Sequence, residues 1–194
     1  KKTTPEAVPG HWRQVTRPAM RARRSGKIFN ISSVGGKVTF PFFGAYHGTK
    51  YAVEAFSDAL RYELRPYDID VVVIEPGPIA TAFGETAMKN VKKYSGTAYT
   101  VSVEKAEAIQ AQFEKRAAPA EAVAKHIARI SRKWRPAARY ASPFYNGALF
   151  WLSAMLPQSV WDWAGRKLAY LSPKNIDFGA TERSTAQVAA PSAK

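Results

Sequence analysis

The sequence predicts an α/β protein built on a parallel sheet, and three observations carry that prediction. Residues 69–74, I-D-V-V-V-I, form a nearly continuous β-branched run. A strand reads this way when helices cover both of its faces. Residues 45–64 place Ala52, Val53, Phe56, Ala59, Leu60 and Leu64 at three- and four-residue steps, and Pro66 stops the pattern. That is the period of an amphipathic helix. Strand and helix signals then alternate through residue 142, and such alternation needs crossover connections between parallel strands.

Each element has its own warrant. Residues 1–10 are polar, with Pro5, Pro9 and Gly10, and are expected to be irregular. Residues 11–24 have helical character that Pro18 kinks or ends. Lys27 to Ser32 is a short apolar strand after the turn at Arg24–Gly26. Residues 34–43 form a loop punctuated by Gly35, Gly36 and Pro41. In the helix over 45–64, Glu54, Asp58, Arg61 and Arg65 are expected opposite the apolar stripe. Glu75-Pro76-Gly77-Pro78 ends the second strand. Residues 81–118 are mixed and charged, and predict a long loop holding one or two helices. Helix over 120–133 and a short strand over 139–142 follow. Residues 144–171 are rich in aromatics, and the polar stretch 173–194 is expected to be a disordered tail.

Composition narrows the chemistry. The chain has 194 residues, 46% of them hydrophobic, enough for one domain with a core plus tails. No cysteine is present, which excludes disulfides and thiol chemistry. His11, His47 and His126 are the only histidines and none pair at metal-ligand spacing, so no metal site is expected. The net charge is +14, and residues 1–27 carry eight basic residues against one acidic. A solvated helix face accounts for such a block. No nucleic-acid-binding module accompanies it, so no nucleic-acid partner is expected.

The candidate site lies between Gly26 and Lys50. Ser33 ends the first strand, and Tyr46 and Lys50 stand four residues apart at the head of the following helix, on one face. Tyr-x-x-x-Lys alone is a weak signal, since 9 Tyr and 15 Lys supply about one match by chance. A second match exists at Tyr170 and Lys174, but Pro173 interrupts it and Pro157 occupies the position thirteen residues before Tyr170. Ser33 stands thirteen residues before Tyr46. A phenol ordinarily titrates near about pH 10, and an adjacent cation favours the phenolate. Such a tyrosine exchanges a proton with an alcohol or carbonyl, while the serine orients the same oxygen. Asn30 is expected to tie strands together, His47 to point elsewhere on the helix, and His126 to be structural. Thr81 also suits a plain helix N-cap.

Taken together, N-I-S-S (Asn30 to Ser33), Y-H-G-T-K (Tyr46 to Lys50) and P-G-x-x-x-T (Pro76 to Thr81) resemble the short-chain dehydrogenase/reductase family in order and spacing. The resemblance covers residues 13–172. It implies a Rossmann-like doubly wound parallel sheet and NAD(P)-dependent hydride transfer between an alcohol and a ketone or aldehyde. It implies Ser33, Tyr46 and Lys50 as catalytic residues. Tyr46, Lys50, Pro76, Gly77, Ile79 and Thr81 are implied at the cofactor, Lys50 on the ribose hydroxyls and Ile79 and Thr81 on the nicotinamide carboxamide. Glu75-Pro76-Gly77 and the run A-Y-H-G-T-K-Y-A-V-E-A-F-S look like hydroxysteroid and retinol dehydrogenases, which implies an apolar, steroid-, retinoid- or lipid-like substrate. The basic surplus leans toward NADP over NAD.

The chain also departs from the family pattern. It has no glycine-rich phosphate turn before the site, and residues 1–29 contain no asparagine. The expectation is therefore an incomplete sheet, with only the last strands and their helices: a helical or irregular remnant over 1–26, the C-terminal part of the dehydrogenase domain over 27–172 with its substrate loop at 78–118, and the tail. The alternative is a truncated, non-catalytic remnant acting through partner binding. A small-molecule substrate, a homo-oligomer at full length, a cytoplasmic location and, as its alternative, peripheral membrane contact through 140–171 complete the expectations.

Overall fold

The computed structural model describes residues 18–142, 155–177 and 179–180. The chain divides into two compact units, the first from 1–38, 46–77 and 121–150, the second from 39–45, 78–120 and 151–194.

The first unit holds a three-stranded parallel sheet in the order β1-β2-β5. Strand β1 is Gly26–Ile31, β2 is Ile69–Pro76 and β5 is Arg139–Ser142. Gly26 pairs with Ile69 and Ile31 with Ile74, while Val73 pairs with Arg139 and Pro76 with Ser142. Helix α1, Gly44–Leu64, makes the crossover from β1 to β2, and α4, Ala120–Ser131, precedes β5. Side chains alternate across β2. Ile69 and Val71 pack with Leu64, Leu60, Ile28 and Met20. Val72 and Ile74 pack with Ile130, Ile127, Val123 and Phe29. Both faces of β2 are thus covered, as its unbroken apolar run requires. Burying each such side chain contributes about 1.5–3 kcal/mol. The strands of this unit run parallel, with helices between them, in the Rossmann-like manner, and they are few.

The second unit pairs two short parallel strands, β3 at Ile79–Ala80 and β4 at Ala118–Pro119. Between them run α2, Phe83–Val91, and α3, Thr100–Lys115. Met88, Val91 and Val103 are buried together against Phe42, Phe43 and Ala106. Helix α5 is Gln158–Leu168.

Several boundaries and faces differ from the sequence reading. Strand β1 begins and ends one residue earlier, and the loop after it contains a 3-10 turn at Val34–Gly36. The expected disordered tail is ordered at its start. Pro173–Asn175 is a 3-10 turn, Asp177 N–H donates to Ala98 O at 3.2 Å, and Ala180 is buried. The remainder of that tail, residues 1–17, and residues 144–154 of the aromatic stretch, including Phe144 and Trp151, lie outside the described residues. On α1 the apolar stripe does not set the buried face alone. Phe56 is 52% exposed, whereas Glu54 and Ser57 are buried. No helix among the described residues is long and apolar enough to cross a membrane.

Candidate active site

The site is built at the carboxyl end of β1 and β2, where the chain leaves the sheet. Ser32 N–H extends the ladder to Ile74 O at 2.8 Å. Ser33 then takes an extended backbone and caps the 3-10 turn, its Oγ accepting from Gly35 N–H at 3.1 Å. The same hydroxyl donates to Pro76 O at 3.4 Å, a long bond that joins the turn to the end of β2. Gly77 N–H donates to Ser142 O at 3.0 Å and fixes that end against β5.

Two glycines let this turn lie against α1. A Cβ on Gly35 would sit 2.7 Å from His47 Nδ1 and 3.0 Å from Tyr46 Cε1. A Cβ on Gly36 would sit 2.7 Å from Ser32 Oγ and 3.2 Å from the backbone oxygen of Lys50. Only glycine permits such an approach. The structure therefore brings Ser33, Tyr46, Lys50 and Pro76 together. Lys50 Nζ lies 5.8 Å from the centre of the Tyr46 ring and donates to Ile31 O at 3.2 Å. Partial burial lowers the Lys50 amine below its ordinary value.

Other expected residues fall elsewhere. Ile79 belongs to the second unit and pairs with Ala118. Thr81 Oγ1 accepts from Phe83 N–H at 3.4 Å and so serves the entry to α2. Asn30 Nδ2 donates to Ser57 Oγ at 2.9 Å, tying strand to helix rather than strand to strand. His126 packs edge-on against Tyr140 with ring centres 5.7 Å apart, a structural place.

His47 departs from expectation. It points into the turn, is 4% exposed, and its Nδ1 lies 2.9 Å from Gly35 O. A carbonyl only accepts, so Nδ1 carries the hydrogen. Burial lowers its pKa, partly opposed by that bond, and so favours the neutral ring.

The sequence reading also missed an ionic cluster built around two buried glutamates, Glu54 and Glu75. Lys37 Nζ lies 3.2 Å from Glu54 Oε2, and Arg139 Nε lies 3.0 Å from the same oxygen. Arg139 makes two further 2.7 Å bonds to Asp58, and Glu75 is buried beside both cations. A signal existed. His47, Lys50, Glu54 and Ser57 fall at steps of three, four and three. They form a polar stripe on one helical face.

Comparison with known proteins bears on the fold and the family. Residues 11–92 match the family model described as short chain dehydrogenase. The Helicobacter pylori protein named probable short-chain type dehydrogenase/reductase VdlC is 35% identical over 149 residues, which is 77% of this chain and 55% of that protein. The NADPH-dependent 3-dehydrocapnine reductase of Ornithobacterium rhinotracheale is 40% identical over 119 residues, 61% of this chain and 42% of that one. A solved short-chain dehydrogenase from Streptomyces avermitilis is 26% identical with a TM-score of 0.55, covering 82% of this chain and 58% of that one. The chain spans about half the length of the curated relatives it matches. The fold and these matches together support membership of the short-chain dehydrogenase/reductase family.

Proposed function

We propose that the protein is a nicotinamide-dependent oxidoreductase that interconverts a carbonyl and its alcohol at Ser33, Tyr46 and Lys50. One observation carries this reading: Gly35 and Gly36 press the Ser33 turn onto the helical turn that bears Tyr46 and Lys50. The donor set fits a dinucleotide. Lys50 spends one N–H on Ile31 O, and two more suit ribose hydroxyls. When bound, the nicotinamide supplies or accepts the hydride.

The chain's own residues do the rest. Ser33 exchanges its long bond to Pro76 O for one to the substrate oxygen, which orients that oxygen toward Tyr46. Tyr46 delivers the proton to the developing alkoxide, or takes it in the reverse direction. The Lys50 charge near the ring stabilises negative charge as it develops on the phenol oxygen. Pro76 and Gly77 hold the end of β2.

The name of the Ornithobacterium relative supports NADPH and the reductive direction. Phe83, Tyr94, Tyr99 and Phe113 are exposed on the 78–118 segment, which supports an apolar substrate of the steroid, retinoid or lipid-like class. The test is NADPH and NADH oxidation by the intact protein over a panel of apolar and polar ketones. Turnover that favours NADPH and apolar ketones, and that vanishes in Tyr46→Phe, supports the reading. Absence of both turnover and nicotinamide binding sinks it and leaves a non-catalytic role through partner binding.

A further inference from the structure

Three chain segments carry the proposed site: the Ser33 turn, the first turns of α1 and the end of β2. One ionic cluster, around the buried Glu54 and Glu75, touches all three. Lys37 follows the Ser33 turn, and its Nζ lies 3.2 Å from Glu54 Oε2 and 3.9 Å from Glu75 Oε1. Arg139, from β5, reaches the same two oxygens at 3.0 and 3.5 Å. Glu54 stands one helical turn beyond Lys50. Glu75 immediately precedes Pro76, whose carbonyl accepts from Ser33. Asp58 shares Arg139 and holds Arg61 at 2.7 Å, so the cluster extends down α1.

The two glutamates are not equivalent. Both cations stand nearer to Glu54, and the Glu75 side chain is only 3% exposed. Glu75 is therefore the less compensated acid. Among the described residues Glu54 Oε1 and Glu75 Oε1 are buried without a hydrogen-bond partner, and the two carboxylates share Lys37 Nζ and Arg139 Nε. Two adjacent buried carboxylates repel. One proton between them replaces that repulsion with a hydrogen bond and supplies the donor the orphaned oxygens lack.

We propose that Glu75 is a positioning residue for Ser33: as the neutral acid it donates to Glu54 and locks the Ser33 turn, α1 and the end of β2 in one arrangement. The inference rests on the reading of Ser33 as the group that orients substrate. Burial, and then the charge of Glu54, push Glu75 up to about 7 against the pull of Lys37 and Arg139. An acid raised in the folded state favours folding fully below its ordinary value, and that contribution is lost as pH rises through the folded value. The lock is thus tightest below the ordinary glutamate value of 4.5 and loosens as pH rises to about 7. Glu75 acts through Pro76, Lys37 and Glu54 and does not itself react.

The test is amide hydrogen exchange on the intact protein, comparing wild type with Glu75→Gln. The N–H groups of Gly35, Gly36 and Lys37 bond to Ser33 Oγ, Ser33 O and Val34 O, so their protection reports the turn directly. After correction for intrinsic exchange, wild-type protection is expected to fall by up to about tenfold per pH unit between the ordinary glutamate value of 4.5 and about 7, and to level off above that. Glu75→Gln keeps a donor for Glu54 and cannot ionise, so its protection stays level. Parallel profiles for the two proteins overturn the proposal. So does a carbon-13 titration that places the Glu75 carboxyl in the ordinary carboxylate range. In turnover assays Glu75→Gln is expected to extend kcat to higher pH with KM unchanged. A wild type without turnover overturns the oxidoreductase reading instead, while exchange and carboxyl titration still decide the lock.

Discussion

Tyr46–Lys50 and Tyr170–Lys174 have identical spacing and opposite fates. The first pair sits inside α1, where four residues make about one turn and both side chains share a face. The second pair straddles a helix end. Tyr170 adopts a left-handed φ of 56°, its N–H returns to Lys167 O, and Leu171 N–H returns to Arg166 O. These two bonds form a Schellman motif, which closes α5 before a shared face can form. Pro173 then opens a separate 3-10 turn. Around Tyr46 the partners are a glycine turn and a lysine. Around Tyr170 they are Asn175 Nδ2 on its carbonyl at 3.0 Å and Lys105 over its ring at 4.7 Å. A four-residue spacing has chemical meaning only where the backbone between the two residues is helical and a strand end faces it.

The largest expected break in this comparison is Tyr46→Phe. It is expected to lower kcat by about 10²–10⁴-fold. Tyr170→Phe is expected to leave kcat unchanged, and an equal loss in both variants would remove the distinction. Next is Gly36→Val, whose Cβ meets the backbone at Lys50 O as well as Ser32 Oγ. Overpacking of this kind costs about 1–3 kcal/mol, readable by denaturant unfolding. Gly165→Ala, on α5, meets nothing within 4 Å and is expected to stabilise by about 0.5–1 kcal/mol. Gly36→Val as mild as Gly165→Ala would mean the turn does not press on α1.

The smallest effect concerns His47. Burial lowers its folded pKa from an ordinary 6.5, so its contribution to stability is present above that value and is lost as pH falls through it. His47→Gln keeps a donor for Gly35 O and does not titrate. The difference in Tm between wild type and His47→Gln is expected to shift against wild type as pH drops below the ordinary histidine value. A difference independent of pH would show that His47 is not held neutral.

Much of this was legible because the signals were local. The β-branched run at 69–74, the helix stopped by Pro66, and Ser33 thirteen residues before Tyr46 each rest on a few neighbouring residues. The errors came where distant residues decide. Periodicity put Phe56 with the apolar stripe and Glu54 outside it, yet Glu54 is buried because Lys37 and Arg139 reach it. Helix geometry points His47 elsewhere, because nothing in the sequence shows that Gly35 O waits for it. The start of the 173–194 stretch is ordered because Asp177 bonds to Ala98, a residue far away in sequence.

The sequence by itself determined the element types and the parallel sheet, and it placed Ser33 at a turn and Tyr46 and Lys50 one helical turn apart, because backbone period and turn chemistry act over a few residues. Tertiary structure alone decided which polar residues are buried and how they are compensated. A carboxylate such as Glu54 or Glu75 can be buried only beside cations that arrive from other segments, here Lys37 and Arg139. That pairing is fixed when the loop, helix and strands close on one another.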